Sequence, residues 1–317
     1  MIMKARKKIV VIGGGTGVFT ALTGLKKYDV DLTAVVNMAD DGGSSGILRE
    51  EFGMLPPGDI RRAIIALSRA DNKILSELFS YRFHEGVGLT GHNFGNLMIT
   101  ALHRITGDFS SAIKEASKIL QVEGNVIPVT LTNARLFAEL ENGSVIRGET
   151  NIDIPNHDGH LKIKRVWLTP QAALNPEARK AIMEANLVVI GPGDLYTSIM
   201  PNILVTGMKE ALVKSKAKKA YAVNVMTKFG ETNGYVAADF IQMVSGVLGE
   251  KCLDYVVVNN ARPSLRELKK YAEEKSTIVD WNNLPPKPTP ILGNFLRKKG
   301  LIRHDPDLLA KTLISLV

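Results

Sequence analysis

The stretch KKIVVIGGGTG, residues 7–17, decides the class of fold. Its first seven residues contain a short apolar run that ends at glycines, and such a run is typical of a buried strand. Residues 16–27 follow with apolar side chains near helical spacing, so we expect a strand, a glycine-rich turn and a helix. A helix that begins at such a turn can hold a diphosphate on its free N–H groups. The dinucleotide fingerprint G-x-G-x-x-G is incomplete, because Val18 stands where its last glycine would be.

The same alternation of apolar strands and helices continues on both sides of the middle region. Further strands are predicted at residues 30–37, 187–191, 220–226 and 254–260, and helices at 60–68, 93–104, 108–120, 176–185 and 237–248. Apolar strands that alternate with helices are typical of a parallel sheet whose two faces are both covered. We therefore expect one α/β domain over residues 1–317 rather than two.

The middle of the chain has a different pattern. Strand-like segments at residues 126–131, 135–140, 144–147 and 161–168 follow one another, and the sequence ENG at 141–143 predicts a hairpin turn. We expect a β-rich, antiparallel insertion at about residues 126–168, at the edge of the main sheet. A C-terminal extension is expected at about 284–317, where the segment LPPKPTP forms an extended connection to a short helix.

Composition excludes several classes of protein. Of the 317 residues 45% are hydrophobic, enough for a large core, and the single cysteine rules out an internal disulfide or a cysteine zinc cluster. The apolar run after the basic start is too short for a signal peptide, and no stretch approaches the ~20 residues of a membrane span. We expect a cytoplasmic protein without membrane insertion. The net charge of +8 favours anionic partners, but aromatic residues are not interleaved with the basic clusters, so nucleic acid is not expected.

Glycine-rich and polar segments follow five of the predicted strands. They are GGGTG, ADDGGSSG, PGDLYTSIMPN, TKFGETNG and ARPS, at residues 13–17, 39–46, 192–202, 227–234 and 261–264. In a doubly wound sheet, ligands bind outside the carboxyl ends of the strands. The five segments should therefore converge on one ligand cleft. No G-x-S-x-G or H-E-x-x-H motif indicates nucleophilic or zinc-protease chemistry there.

The segment ADDGGSSG combines two acids with a flexible run of glycines and hydroxyls. A surface turn would have this composition as well, but its place after a strand favours a ligand site. Its N–H groups and hydroxyls suit a phosphate. Asp40 and Asp41 would repel that phosphate, so we expect them to hold ribose or sugar hydroxyls, or a Mg²⁺ that bridges to the diphosphate.

Two further motifs stand at predicted helix starts. In PPGDIRR, Asp59 is a helix cap or a ligand-binding group, with equal support for each. Arg61 and Arg62 oppose the helix dipole, which indicates that at least one of them has an acidic partner or a phosphate. In GHNFGN, His92 and two amides lie beside glycines.

Six ordered segments resemble the motifs of the gluconeogenesis factor family: GGGTG, ADDGGSSG, PPGDIRR, GHNFGN, GPGDLYTSIMPN and NVMTKFGET. The resemblance runs from about Ile9 to beyond Arg262. That family is similar to the 2-phospho-L-lactate transferases of deazaflavin coenzyme biosynthesis. The resemblance implies a Rossmann-like three-layer α/β/α fold in a cytoplasmic bacterial protein, with a mostly parallel sheet. The expected pattern GPGSLYTS is altered here, because Asp194 replaces its serine.

The resemblance also implies a function. Members of the family support growth and cell shape on gluconeogenic carbon sources and are associated with UDP-sugars such as UDP-N-acetylglucosamine. We expect such a nucleotide sugar to bind without turnover, so that the protein is not an enzyme. The alternative is transfer of a phospholactyl group from a guanylyl diphosphate donor to a deazaflavin, with Mg²⁺. An NAD-dependent oxidoreductase is a third reading, which Val18 disfavours.

The motifs and the resemblance together define the expected site. Arg262 should close over the diphosphate or the uracil, Asp40 and Asp41 are candidate Mg²⁺ ligands, and no other cofactor is expected. Regulatory protein partners and a homodimer stay open. The expected ligand-binding residues are Gly13, Gly14, Gly15, Thr16, Gly17, Asp40, Asp41, Gly43, Ser44, Ser45, Asp59, Arg62, His92, Asn93, Asn96, Gly191, Gly193, Asp194, Tyr196, Thr197, Ser198, Asn202, Asn224, Thr227 and Arg262.

Overall fold

Ten strands and thirteen helices make up the chain in a computed structural model that describes residues 5–69 and 73–317. The strands are β1 (Lys7–Gly13), β2 (Val30–Val36), β3 (Asn125–Pro128), β4 (Arg135–Leu140), β5 (Val145–Arg147), β6 (Ile163–Thr169), β7 (Leu187–Ile190), β8 (Lys218–Ala222), β9 (Tyr255–Asn259) and β10 (Thr289–Gly293). The helices are α1 (Gly15–Leu25), α2 (Gly43–Phe52), α3 (Gly58–Leu67), α4 (Lys73–Ser80), α5 (Phe94–Thr106), α6 (Phe109–Ile119), α7 (Glu149–Asp153), α8 (Pro176–Glu184), α9 (Met200–Ile203), α10 (Met208–Lys214), α11 (Ala237–Leu248), α12 (Leu265–Glu273) and α13 (Pro306–Ile314). A π-helical turn, Leu195–Ile199, precedes α9. Within the described residues, no helix has both the length and the apolar character needed to span a bilayer.

The main sheet contains seven parallel strands in the order β10-β9-β8-β7-β1-β2-β3. The predicted α/β fold, with a mostly parallel sheet and an antiparallel insertion, is confirmed. Strand β1 lies between β2, which follows it directly in the chain, and β7, which comes after the insertion. The direction of winding therefore reverses between β1 and β7. A ligand cleft is expected at this point of the sheet.

Burial of both sheet faces explains the sequences of the central strands. Ile9 and Ile12 in β1 are fully buried, as are Leu187 and Ile190 in β7. A strand covered by helices on both sides has no polar face, so its sequence is a continuous apolar run instead of an alternating one. The decisive stretch at residues 7–13 therefore lies in the centre of the core.

The insertion is a three-stranded antiparallel sheet in the order β5-β4-β6. The hairpin turn predicted at residues 141–143 joins β4 to β5. The strand predicted at 126–131 was assigned to this insertion, and that assignment is wrong, because β3 lies in the main sheet, parallel to β2. Helix α6 leads into β3, so the helical connection from β2 to β3 is the crossover that parallel neighbours need.

The C-terminal extension adds to the main sheet. Part of the expected connection at 284–290 belongs to β10, which pairs in parallel with the outer edge of β9. Helix α13 then packs on α1 at Gly24, where an added Cβ would lie 2.0 Å from the Pro306 carbonyl oxygen. The end of the chain thus covers the first helix, and no side chain fits at that crossing.

Candidate functional site

One cleft of about 1000 Å³ opens at the carboxyl ends of β1, β2, β7 and β8. The loops after these strands form its floor, helix α7 of the insertion forms one wall, and α12 with the C-terminal segment forms another. Fifteen of the residues predicted for the site line this cleft together. They are Gly15, Thr16, Gly17, Asp40, Gly43, Ser44, Ser45, Asp59, Arg62, Asn96, Gly193, Asp194, Ser198, Asn224 and Thr227.

The first glycine-rich loop, residues 13–17, packs against other parts of the protein. An added Cβ at Gly14 would lie 2.4 Å from Asp59 Oδ2, and one at Gly17 would lie 2.0 Å from the Pro192 carbonyl oxygen. The Asp59 carboxylate therefore lies against the loop at the positive end of α1, which favours a negative charge. The glycines of this loop are therefore needed for close approach, and a carboxylate of the protein already occupies the start of its helix.

The second glycine-rich loop, residues 42–46, has its open side toward the cleft. The structure shows that α2 begins within it, at Gly43, where the sequence analysis expected a loop. An added Cβ at Gly43 would meet nothing within 4 Å, although its φ of +44° favours glycine. The hydroxyl of Ser44 accepts from the Asn93 N–H at 3.2 Å, and that of Ser45 accepts from Asn96 Nδ2 at 3.4 Å. The first turn of α2 thus presents two positioned hydroxyls at a helix start that has no side-chain cap.

The adjacent acids Asp40 and Asp41 have different surroundings. Asp40 lines the cleft and accepts from the Gly42 N–H at 3.0 Å. Asp41 accepts from the backbone N–H groups of Glu149 and Thr150 at 3.2 and 2.8 Å. It therefore caps α7 and anchors the insertion, and it does not line the cleft. Of this pair, Asp40 is the one placed to bind a ligand or a cation.

Negative charge accumulates around Asp40. Burial first, and then Asp40, raises the pKa of Asp59 to about 6, although Arg62 and the Gly15 N–H act in the opposite direction. Burial and the neighbouring Asp40 also raise the pKa of Glu149 strongly. Each raised pKa means that the positive charges and hydrogen bonds nearby do not fully offset the cost of holding a buried, charged carboxylate. A divalent cation beside Asp40 would supply the missing positive charge.

The two arginines of α3 have different partners. Arg62 is 44% exposed and lies 3.4 Å from Asp59 Oδ1, which confirms that one of the pair has an acidic partner. Arg61 is buried, donates from Nε to Asn96 Oδ1 at 3.0 Å, and has its pKa lowered by burial to about 10. Both line the cleft. They place positive charge beside Asp59 and Asn96.

A second charged cluster lies where the loops after β7 and β8 meet the insertion. Asp153, Asp194 and Glu231 place carboxylate oxygens within 4.8 Å of one another. The Lys228 ammonium contacts all three and lies 3.5 Å from Asp194. Asn224 donates to Asp194 Oδ1 at 3.1 Å. Asp194, which stands where the expected pattern GPGSLYTS has serine, therefore has Lys228 as its cation partner and Asn224 as a hydrogen-bond donor. These two partners offset the negative charge that the aspartate adds.

Glu231 is completely buried and supports the loop after β7. It accepts from the Tyr196 N–H and the Thr197 hydroxyl, each at 3.1 Å. Burial and the nearby Asp194 raise its pKa to about 8, while Lys228 opposes this shift. Sequence reasoning missed Glu231, Lys228 and Asp153, although the first two lie inside the segment TKFGETNG.

Ten predicted residues lie outside the lining. Most support it from behind: Tyr196 shares a hydroxyl contact of 2.8 Å with Tyr235, and Asn202 donates to the Ser198 carbonyl at 2.7 Å. Arg262 is exposed and stacks on Trp281 with 5.5 Å from its guanidinium carbon to the ring centroid. The ten are Gly13, Gly14, Asp41, His92, Asn93, Gly191, Tyr196, Thr197, Asn202 and Arg262.

Two walls of the cleft come from residues that were not predicted for the site. Glu149, Thr150 and Asp153 come from the insertion, and Tyr271, Arg303 and His304 come from α12 and the C-terminal segment. His304 is buried, and burial lowers its pKa to about 4, so the ring is neutral. No motif marks these residues, since only the folding of the insertion and the C-terminus over the sheet brings them to the cleft.

The fold and the site together define a doubly wound α/β protein with a polar ligand cleft at its topological switch point. The sequence profile of the 2-phospho-L-lactate transferase CofD family matches residues 9–289. The chain belongs to this family.

Proteins named gluconeogenesis factor are similar to the chain over nearly its full length. The gluconeogenesis factor of Bacillus subtilis is 42% identical over 320 residues, covering 99% of each chain. A relative from Nostoc sp. is 48% identical over 315 residues, which are 97% of this chain and 68% of that protein. A crystal structure from Bacillus halodurans superposes with a TM-score of 0.91 at 40% identity, covering 98% of this chain and 99% of that one. The predicted family resemblance is therefore confirmed.

Proposed function

We propose that the protein binds a nucleotide sugar of the UDP-N-acetylglucosamine type in this cleft and does not turn it over. In this proposal, it acts in the cytoplasm and supports growth and cell shape on gluconeogenic carbon sources; the name of its relatives, gluconeogenesis factor, supports only the link to gluconeogenesis. One observation carries the proposal. An uncapped helix start with two serine hydroxyls, two arginines and several acids converge in one cleft of about 1000 Å³. That volume is at the upper end of the ~300–1,000 Å³ typical of small-molecule sites.

The diphosphate is assigned to the second glycine-rich loop. The N–H groups at the start of α2 and the hydroxyls of Ser44 and Ser45 are the donors that a diphosphate needs. Arg62, half-exposed at the cleft, supplies positive charge. The first loop also lines the cleft, but the Asp59 carboxylate lies against its helix start and disfavours a second anion there.

The acids of the cleft have two roles in the proposal. Asp40 would contribute a ligand to Mg²⁺, which neutralises diphosphate charge when it is bound. Carboxylates that do not contact the cation accept from ribose or sugar hydroxyls. Lys228 offsets part of the negative charge of Asp153, Asp194 and Glu231, which lowers the repulsion from the opposite wall.

Binding without turnover is proposed because group transfer needs an activated acceptor as well as a bound donor. Cys252 lies at a separate depression beside Lys209 and Lys219, away from the cleft. A second candidate function, transfer of a phosphate-linked group, draws support from one contact. Ser44 Oγ lies 3.3 Å from His92 Nδ1, the spacing of a hydroxyl next to a base. No further group is seen to orient His92 among the hydrogen bonds of the described residues.

Two measurements test the proposal. A thermal-shift panel of UDP-N-acetylglucosamine, GDP, NAD and a deazaflavin identifies the ligand class, since a ligand at 100 times its Kd adds ~2.7 kcal/mol of stability. Chromatography of UDP-N-acetylglucosamine after long incubation with the protein and Mg²⁺ then tests turnover. We expect stabilisation by the UDP-sugar and an intact ligand. Steady release of UDP or UMP that stops in the Ser44→Ala variant would support the transferase, and stabilisation by NAD alone would contradict both readings.

A further inference from the structure

The antiparallel insertion has an outer face that is separate from the ligand cleft. Side chains of β4 alternate, so Leu136 and Ala138 are buried in the core while Phe137 lies on the opposite face. In the strand register Phe137 lies between Arg147 of β5 and Trp167 of β6. A row of one arginine and two aromatic rings therefore crosses the outer side of the sheet.

The two rings of this row are stacked on each other. The centroids of Phe137 and Trp167 are 5.6 Å apart, with an angle of 16° between the planes. The Arg165 guanidinium lies 5.1 Å from the Trp167 ring centroid. Both rings are half-buried, and neither belongs to the hydrophobic core or to the residues packed against it. We call Phe137, Arg147, Arg165 and Trp167 the aromatic–arginine face.

Positive charge predominates around these rings. Lys164 and Arg165 are 63% and 67% exposed, and both contact Glu139 Oε atoms, at 3.0 and 2.6 Å. Glu139 is only 14% exposed, so one acid serves two cations, and Arg147 adds a third exposed cation. Stacked guanidinium groups keep their N–H edges free for carboxylates.

We propose that the aromatic–arginine face is a docking surface for an acidic segment of another protein, one that carries an aromatic or apolar side chain among its carboxylates. Tryptophan and arginine are the residues that most often dominate binding energy at protein interfaces. The excess of cations over Glu139 fits an acidic partner by charge. The inference is independent of the ligand proposed for the cleft, since none of the four residues lines it.

A protein segment fits this surface better than a nucleic acid. Binding of single-stranded nucleic acid uses aromatic rings whose faces are open to stacking bases. Here Phe137 and Arg165 already stack on the Trp167 ring.

The experiment uses the full chain and four defined probes. Fluorescently labelled random copolymer of glutamate and tyrosine stands for the acidic, aromatic segment, and polyglutamate, oligo-dT and phosphatidylglycerol vesicles are the comparisons. Binding is measured by fluorescence anisotropy, and by sedimentation for the vesicles, with wild type and the Arg165→Glu and Trp167→Ala variants. Arg104→Glu is the matched control, because Arg104 lies over the Phe52 ring at 5.4 Å, as Arg165 lies over Trp167, and undergoes the same charge change.

The expected order of affinity is the glutamate–tyrosine copolymer first and polyglutamate second. Arg165→Glu should weaken copolymer binding by about tenfold, whereas Arg104→Glu should change it less than twofold. Equal losses in the two charge-reversal variants would overturn the proposal, since they would show general attraction to a basic protein. Binding of oligo-dT or vesicles that exceeds copolymer binding and is lost in Trp167→Ala would also overturn it. Unchanged thermal melting of Arg165→Glu is the check that the insertion stays folded.

Discussion

Two glycine-rich loops lie side by side at the ends of β1 and β2, and they differ in what occupies their helix starts. The loop at residues 13–17 is closed by Asp59 and by the main chain around Pro192. The loop at 42–46 leaves Gly43 open and directs Ser44 and Ser45 to the cleft. Both loops line the cleft, but similar composition serves close packing against other segments in the first and an open helix start with two hydroxyls in the second. The difference comes from the residues that other segments place against each loop.

The open loop is held from behind by a buried arginine. Arg49 is 2% exposed and donates to Asn133 Oδ1 at 2.8 Å and to the carbonyl oxygens of Ala39 and Ala134 at 3.3 and 2.5 Å. We predict that Arg49→Met lowers the free energy of unfolding by about 4 kcal/mol, because several buried acceptors lose their donor. Urea denaturation measures this change. Arg266→Met, at an exposed position of α12, should stay within about 0.5 kcal/mol. Similar losses in both variants would contradict the supporting role of Arg49.

The closed loop should respond to a single methyl group. Gly17→Ala places a Cβ 2.0 Å from the Pro192 carbonyl oxygen, and this backbone atom cannot move aside cheaply. We predict a loss of about 3 kcal/mol in unfolding free energy. Gly246→Ala is the matched control, since its Cβ would meet nothing within 4 Å in helix α11. That variant should gain about 0.5–1 kcal/mol from helix propensity. A tolerated Gly17→Ala would mean that the first loop is open like the second.

Glu231 supports the turn against which the closed loop packs, and it should make stability depend on pH. Its pKa is raised to about 8 in the folded protein, so the folded state retains a proton that the unfolded chain releases. Stability is then lost as pH rises from the ordinary glutamate pKa toward 8. In wild type the unfolding free energy should decrease between pH 5 and pH 7, and Glu231→Gln should make this decrease smaller by about 2 kcal/mol. Each pKa unit corresponds to about 1.4 kcal/mol. Denaturation curves of both proteins across this range measure it. If unfolding free energy depends on pH in the same way in wild type and Glu231→Gln, the raised pKa of Glu231 is contradicted.

Much of the fold could be predicted from local patterns. The apolar runs of β1 and β7 are continuous because both sheet faces are covered, and that pattern is visible without a structure. The apolar pattern could not predict which sheet contains β3, because a four-residue apolar strand has the same sequence character in a parallel sheet and in a hairpin. Helix α2 was missed for a related reason. Its first turn, GSSG, has the composition of a loop, and helix propensity offers no signal there.

The candidate site was predictable where its residues follow strands and not elsewhere. Ser44, Asp59 and Asn224 come from loops whose convergence follows from parallel topology. Glu149 and Arg303 reach the cleft only because the insertion and the C-terminus fold over the sheet, which local sequence does not encode. Asp40 and Asp41 are adjacent and alike in sequence, yet only the backbone of α7 decides that Asp41 becomes a cap.

The central claim is that the open loop and its neighbours bind a nucleotide diphosphate. Calorimetric titration of UDP-N-acetylglucosamine into wild type, Arg62→Gln and Arg262→Gln tests it with the same substitution at two sites. Arg62 lines the cleft, whereas Arg262 stacks on Trp281 outside the lining. We predict that Arg62→Gln weakens binding about tenfold, or about 1.4 kcal/mol, while Arg262→Gln changes it less than twofold. Wild-type protein that binds no UDP-sugar, or a loss confined to Arg262→Gln, would contradict the account.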